Sequence, residues 1–219
     1  CYPEQGMRDT AKSLAIALGL NYAYGSAGGE TPAACADREV GQAILTRFPI
    51  LRARRIELPR IREPRAALLA ELRVDSETFR VVSVHLENRR IIPGPRGDGY
   101  SRLAQIEHLL AELEREEGVR STVLAGDFNT YCRGRAERFE PLLGRLAALG
   151  WSDLFEGESP PTIRQLRFVR ASLDTAFARG LALRDGDVDR SARGSDHWPV
   201  HWIATMAEPL NRERMRNPA

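Results

Sequence analysis

Several sequence features that would indicate a particular class of protein are scarce or missing in this chain. Its three cysteines, Cys1, Cys35 and Cys132, have no paired spacing, so the sequence predicts neither a disulfide framework nor a zinc site. No apolar run is long enough to cross a bilayer, because charged residues interrupt the longest ones. No signal peptide is recognisable, although the chain begins at Cys1 without a methionine and a missing leader stays open. We therefore expect a cytoplasmic protein with no integral membrane segment.

Lysine is also nearly absent. Lys12 is the only lysine among 32 basic residues, so arginine supplies almost all of the positive charge in a chain whose net charge is only +2. Arginine clusters such as RARR, NRR and RGRAER suit phosphate groups, because a guanidinium group matches two phosphate oxygens. Most charged clusters are nevertheless solvated surface, and dedicated DNA-binding surfaces often give a larger net positive charge.

The chain has enough apolar residues for one large core. With 219 residues, 42% of them hydrophobic, it predicts a single domain over residues 1–206 and a C-terminal tail at 207–219. Helical spacing predicts helices over AKSLAIAL, after Ser101 and over ERFEPLLGRLAALG. Strand patterns outnumber these helices and include a hairpin in which DSE joins RAALLAELRV to TFRVVSVHLE. We expect an α/β fold with two packed sheets flanked by helices.

Polar residues follow the apolar strands at two predicted strand ends. In VVSVHLEN, Val82 and Val84 alternate with His85, which places His85 on the opposite face of the strand. In VLAGDFNTY, Asp127 and Asn129 would point to one side, about 7 Å apart, if the strand stays extended. Two such groups suit a phosphate or a hydrated metal ion, but an Asx turn that ends the strand is an equally good interpretation.

A second set of polar residues lies towards the C-terminal end. LDTAF carries Asp174, and GSDHWPV carries Asp196 and His197 just before the predicted strand VHWIATM. Taken alone, GSDHWPV is either a solvated turn or a catalytic pair of an acid and an imidazole. A packed scaffold aims side chains from strand ends and loops, so the presence of His85 and Asp127 favours the catalytic interpretation.

Four motifs together carry a family resemblance. SVHL, LAGDFN, LDTAF and GSDHWPV, in this order and at these separations, resemble the endonuclease/exonuclease/phosphatase family of DNase I-like proteins. The resemblance runs to about Met206 and implies a four-layer sandwich, with two mixed β-sheets face to face and helices outside. It also implies a metal-dependent phosphoesterase that cleaves a phosphodiester bond as nucleases do. The family's first strand has no counterpart here, so we expect that a leading segment is missing.

The resemblance assigns roles to the polar residues. His197 is implied to be the general base that takes a proton from the attacking water, and Asp174 to orient its ring. Asp196 is implied to be an outer metal partner or to accept a hydrogen bond from that water. Asn129 would orient the phosphate or the water, and Asp127 would position the nucleophile or protonate the leaving group.

The remaining implied roles concern the metal and the substrate. Glu4, in CYPEQ, matches the family's metal-binding glutamate, although Pro3 replaces the usual glutamine. With Asp196 it would bind Mg²⁺ or Mn²⁺, since these ions prefer oxygen ligands. The His85 proton would help the metal to neutralise charge on the phosphoryl oxygens. The residues implied to contact the substrate are Gln42, Tyr100 and Arg102.

The sequence leaves the substrate open. Nucleic acid is slightly favoured, with contacts expected from Arg89, Arg90, Arg96, Arg102, Arg133 and Arg135. The nearest alternative is a phosphomonoesterase or a hydrolase of phospholipids or inositol phosphates, because the same site serves all these substrates. An alternative of another class is a catalytically inactive binding module, which would apply if Glu4 binds no metal.

Overall fold

The computed structural model describes residues 9–28, 40–87, 99–116, 118–119, 121–129, 141–156, 160–164 and 172–206. In chain order, the helices and strands are α1 (Thr10–Leu18), β1 (Asn21–Ser26), β2 (Gly41–Thr46), β3 (Ile50–Glu57), β4 (Ala66–Val74), β5 (Glu77–His85), α2 (Gly99–Glu114), β6 (Ser121–Asp127), α3 (Pro141–Ala148), β7 (Ser152–Asp153), β8 (Asp174–Arg179), β9 (Leu181–Val188) and β10 (Val200–Met206). No helix in this part of the chain combines the length and apolar character needed to cross a membrane.

A six-stranded mixed sheet forms the centre of the fold. Its strand order is β3-β4-β5-β6-β8-β7, and only β5 and β6 run parallel. The predicted hairpin is confirmed: β4 and β5 pair from Leu68–Ser83 to Val74–Glu77, around a tight turn in which Asp75 has a φ of 54°. The chain then crosses through α2, because a parallel neighbour cannot be reached by a short turn.

Helices cover one face of this sheet. The alternate residues Val82 and Val84 of β5, with Leu124 of β6, point to this side and pack against α2 and α3. The helices contribute the apolar positions expected from their spacing, which are Ile106, Leu109, Leu110, Leu113, Leu142 and Leu146. Each fully buried leucine side chain stabilises the fold by about 1.5–3 kcal/mol, so this interface is a main source of stability.

Two hairpins cover the opposite face. The β1–β2 hairpin packs on β4 through Ala23 and Ile44, while β9 packs on β8 through Leu181. Helix α1 adjoins the β1–β2 hairpin, so the layers run helix, hairpins, central sheet, helices. The predicted α/β sandwich flanked by helices is confirmed. Within the described residues, the second sheet consists of two separate two-stranded parts.

The strands β5 and β6 approach each other closely at Gly126. This residue pairs with Val84, has a φ of 141°, and would place a Cβ atom 2.1 Å from the Val84 carbonyl oxygen.

Gly126→Ala should therefore lower the free energy of unfolding by about 2 kcal/mol or more, measured by chemical denaturation. The matched control is Gly144→Ala in α3, where a Cβ meets nothing within 4 Å. There alanine should stabilise by about 0.5–1 kcal/mol, and equal losses at both sites would contradict this explanation.

Candidate active site

Three neighbouring strands end at one edge of the central sheet and bring three polar side chains together. His85 is the last residue of β5, Asp127 the last of β6, and Asp174 the first of β8. The register places His85 opposite Asp127, and Asp127 opposite Asp174. Paired residues point to the same face, and here that face is the one covered by the hairpins. The Nε2 atom of His85 lies 3.6 Å from Oδ2 of Asp127.

A fourth residue, His197, reaches this edge from the loop before β10. Its backbone forms a bridge with Ile163, and the two flanking hydrogen bonds are Arg164 N–H to the Asp196 carbonyl (2.7 Å) and Trp198 N–H to the Thr162 carbonyl (2.8 Å). The Nδ1 atom of His197 lies 2.7 Å from Oδ2 of Asp174. A carboxylate accepts here, so Nδ1 donates and Nε2 is the basic nitrogen of the neutral ring.

Burial, hydrogen bonding and neighbouring charges shift the pKa values of three side chains at this edge. The hydrogen bond that Nδ1 of His197 donates to Asp174 is the main reason why the pKa of His197 rises from 6.5 to about 9, against an opposing effect of burial. Burial, followed by the negative charge of Asp174, raises the pKa of Asp127 to about 6. Burial, followed by the positive charge of Arg65, lowers the pKa of His85 to about 4. At neutral pH His197 therefore favours its protonated form, whereas His85 is neutral.

The pairing of His197 with Asp174 can be measured by NMR. In metal-free protein, the imidazole of His197 should titrate near pH 9, and Asp174→Asn should bring its pKa down towards 6.5 because the main cause of the shift is removed. The folded-state pKa lies above the ordinary value, so this contact stabilises the fold below about pH 6.5 and ceases to do so as the pH rises through about 9. The exposed His108 serves as the internal control. An unchanged His197 titration in Asp174→Asn would rule out the contact.

The same edge offers ligands that suit a hard divalent cation. Asp127, Asp174 and His197 can each present one ligand atom so that these atoms lie within 4.8 Å of one another. Nδ1 of His197 and Oδ2 of Asp174 already form a hydrogen bond with each other. The atoms left for an ion are therefore mainly carboxylate oxygens. Among the described residues, this three-ligand group contains no cysteine and one histidine, and such an oxygen-rich set fits Mg²⁺ or Mn²⁺ better than zinc.

The motifs around these residues belong to one extended pattern. The sequence matches the model of the Endonuclease/Exonuclease/phosphatase family over residues 5–197, a range that includes all four side chains described above. The chain belongs to this family. It is therefore a phosphoester hydrolase by family. No curated protein matches the chain in sequence.

Solved structures of this family share the fold. The catalytic domain of human Nocturnin with a bound sulfate anion superposes with a TM-score of 0.71 at 20% identity, covering 91% of this chain and 77% of that domain. A mannosyl-6-phosphatase from Bacteroides thetaiotaomicron gives 0.64 at 17% identity, covering 90% and 81%. TDP2 from D. rerio, complexed with a single-strand DNA product, gives 0.61 at 16% identity, covering 88% and 80%. These likenesses confirm the DNase I-like fold.

Asn129 of the family's GDFN motif is oriented differently from the sequence expectation. The strand does not stay extended, because Asn129 has a φ of 52° and its N–H donates to Oδ1 of Asp127 at 2.8 Å. This is the Asx turn of the alternative interpretation. The buried Asn129 amide donates from Nδ2 to the Leu86 carbonyl at 3.0 Å, so it ties the end of β6 to the end of β5.

The structure does not add the other predicted residues to the cluster. Arg102 is 1% exposed, and its contact with a substrate stays a prediction. Gln42 is also buried, on β2. Asp196 contacts Ser195 Oγ at 3.5 Å and does not join the three-ligand group. Several predicted residues lie outside the described side chains, and these are Glu4, Arg89, Arg90, Arg96, Tyr100, Arg133 and Arg135.

Two residues beside the site were missed by the sequence analysis. Arg65, just before β4, is almost fully buried, and its charge acts on His85 and Asp127. Thr162 is fully buried, and its hydroxyl oxygen accepts from the N–H of Leu173 and of Asp174. Neither lies in a motif that the resemblance uses, and no local pattern in the sequence connects Thr162 with Asp174.

Proposed function

We propose that this family member hydrolyses a phosphodiester bond, as a nuclease does, by general-base activation of water. The observation that carries the proposal is the 2.7 Å contact between His197 and Asp174, at a sheet edge that also holds Asp127 and His85. His197 acts from its neutral form, whose fraction grows as the pH rises towards its pKa of about 9. Its Nε2 takes a proton from water, the water oxygen bonds to phosphorus, the bond from phosphorus to the leaving oxygen breaks, and the leaving oxygen departs with a proton. Asp174 keeps the ring in the required tautomer and stabilises the imidazolium ion that forms.

The neighbouring residues act on the same phosphate. Asp127, whose pKa is raised, either positions the nucleophile or gives its proton to the leaving oxygen. His85 is neutral above about pH 4, so it donates a hydrogen bond to a phosphoryl oxygen but adds no positive charge. The proton of His85 was expected to help neutralise charge on the phosphoryl oxygens, and here it contributes a hydrogen bond instead. Asn129 acts on the water or phosphate from the turn that follows β6, where its amide also supports the end of β5.

A divalent cation, Mg²⁺ or Mn²⁺, completes the proposed site. Asp127 and Asp174 lie where they could hold it, and Glu4 and Asp196 remain the ligands that the resemblance implies. When bound, such an ion polarises the phosphoryl oxygen and offsets the negative charge that develops on it.

The proposed substrate is a nucleic-acid strand, because two arginines lie against the Trp198 ring and a third shares a backbone acceptor with one of them. The Cζ atoms of Arg164 and Arg190 lie 5.8 Å and 6.0 Å from the centre of the Trp198 ring. Arg164 also donates to the Ala192 carbonyl, and Arg193 donates to that same oxygen. Within the described residues, none of these three arginines forms an ion pair with a carboxylate, so their charges are available to phosphates that flank the scissile one.

Salt dependence of binding tests this substrate. With His197→Ala to prevent cleavage, affinity for a single-stranded oligonucleotide should fall as salt rises. The combined Arg164→Gln and Arg193→Gln variant should reduce the slope by about 0.7 for each phosphate that is no longer neutralised. The matched control is Arg73→Gln, an exposed arginine at the opposite end of β4. Equal slopes in all variants would contradict the arginine contacts, and no binding at low salt would point to a small phosphoester. If the protein is an inactive binding module, the parent protein should bind the oligonucleotide in Mg²⁺ without hydrolysing it.

A further inference from the structure

Thr162 is connected to both members of the His197–Asp174 pair. Its side chain is 0% exposed. The hydroxyl oxygen accepts from Leu173 N–H at 2.9 Å and from Asp174 N–H at 3.1 Å, at the beginning of β8. Its carbonyl oxygen accepts from the N–H of Trp198, the residue after His197, at 2.8 Å. One residue therefore bonds to the backbone on both sides of the catalytic hydrogen bond.

The position of Thr162 explains why a hydroxyl group is needed there. Strand β7 pairs with β8 only at Phe177 and Ala178, so within the described residues it does not cover the beginning of β8. The N–H groups of Leu173 and Asp174 would be left without an acceptor in a buried environment, which costs about 1–3 kcal/mol for each group. The Thr162 oxygen satisfies both groups and thereby fixes the backbone of Asp174.

We infer that Thr162 is a positioning residue that sets the geometry of the pair formed by Asp174 and His197. The hydroxyl group holds the carboxylate-bearing residue, and the Thr162 carbonyl with the Ile163 bridge holds the loop that carries the imidazole. The contact between the two side chains is 2.7 Å long, so a shift of either backbone by about 1 Å would break it. This inference rests on the proposed role of His197 as general base.

Two substitutions separate the hydroxyl group from the rest of the side chain. Thr162→Val keeps the shape but removes the acceptor, whereas Thr162→Ser keeps the acceptor. We expect kcat to fall by about 10- to 100-fold in Thr162→Val with little change in KM, and to stay within about threefold of the parent in Thr162→Ser. The matched control is Thr122→Val in β6, where a buried threonine has a hydroxyl with no hydrogen-bond partner among the residues that the structure describes. This control should leave kcat unchanged.

Two readouts distinguish the positioning role of Thr162 from a purely structural role. In the parent and in Thr162→Ser, NMR should detect a downfield Nδ1 proton of His197 hydrogen-bonded to Asp174, and Thr162→Val should lose or broaden this signal. In a His197→Ala background, Thr162→Val should lower kcat no further, because the pair is already absent. A structural defect would instead lower activity in both backgrounds, in proportion to the fraction unfolded, and would leave the proton signal of the folded fraction intact.

The outcomes also separate this inference from the proposed function. Full activity in His197→Ala would overturn the proposed function itself. Large losses in His197→Ala together with normal kcat in a folded Thr162→Val would overturn only the positioning role. If Thr162→Val does not fold, Thr162→Ser decides: a folded serine variant with activity as low as His197→Ala would show that the methyl group matters, and would overturn the inference.

Discussion

Replacement of His197 by alanine should slow hydrolysis by a factor of about 10² to 10⁴, because the attacking water loses its proposed general base. The measurement is kcat/KM on a phosphodiester substrate in the presence of Mg²⁺. His108→Ala provides the matched control, since this histidine is exposed on α2 and should leave the rate unchanged. Normal activity in His197→Ala would support the interpretation of GSDHWPV as an ordinary turn.

Asp174→Asn belongs to the same experiment. It should lose a comparable part of the rate, because the asparagine amide no longer holds the imidazole in the tautomer that leaves Nε2 basic. The double variant should be little slower than His197→Ala alone, since the two side chains act as one unit. If the two losses multiply, Asp174 acts independently of His197 and is better described as a structural acid at the beginning of β8.

Removal of divalent metal should have an effect of similar size. We expect a chelator to reduce turnover at least about a hundredfold, and Mg²⁺ or Mn²⁺ to restore it, because the described part of the candidate site offers oxygen ligands and no closed set for zinc. Full turnover in excess chelator would overturn this expectation. Glu4→Gln tests the ligand implied by CYPEQ: it should raise the metal concentration that gives half of the maximal rate. A variant that behaves like the parent would remove Glu4 from the site.

The sequence was informative wherever a local pattern determines which way a side chain points. The alternation around His85 correctly placed it opposite Val82 and Val84, which pack against the helices. The same reasoning accounts for the burial of Arg102. This residue stands one helical turn before Ile106, on the apolar face of α2, and such a position predicts burial.

The remaining features depend on contacts between distant segments. The Asx turn at Asn129 competes with continued extension, and the residues GDFN permit both conformations. The bond from Asp174 N–H to Thr162 joins a strand to a loop segment that carries no periodic pattern. One sequence contains no information about register between such segments, so Thr162 and Arg65 could be found only from the fold.

The strand order has a consequence for how activity arises during folding. The β4–β5 hairpin closes a tight turn, so the strand that carries His85 can form early. Asp127 joins only when β6 pairs with β5 across the segment from residue 86 to residue 120, and Asp174 only after a still longer stretch has been closed. Closing long loops costs entropy before their contacts repay it, and such pairings slow folding. Catalytic competence should therefore return with the slowest phase of refolding, well after the helical circular dichroism signal.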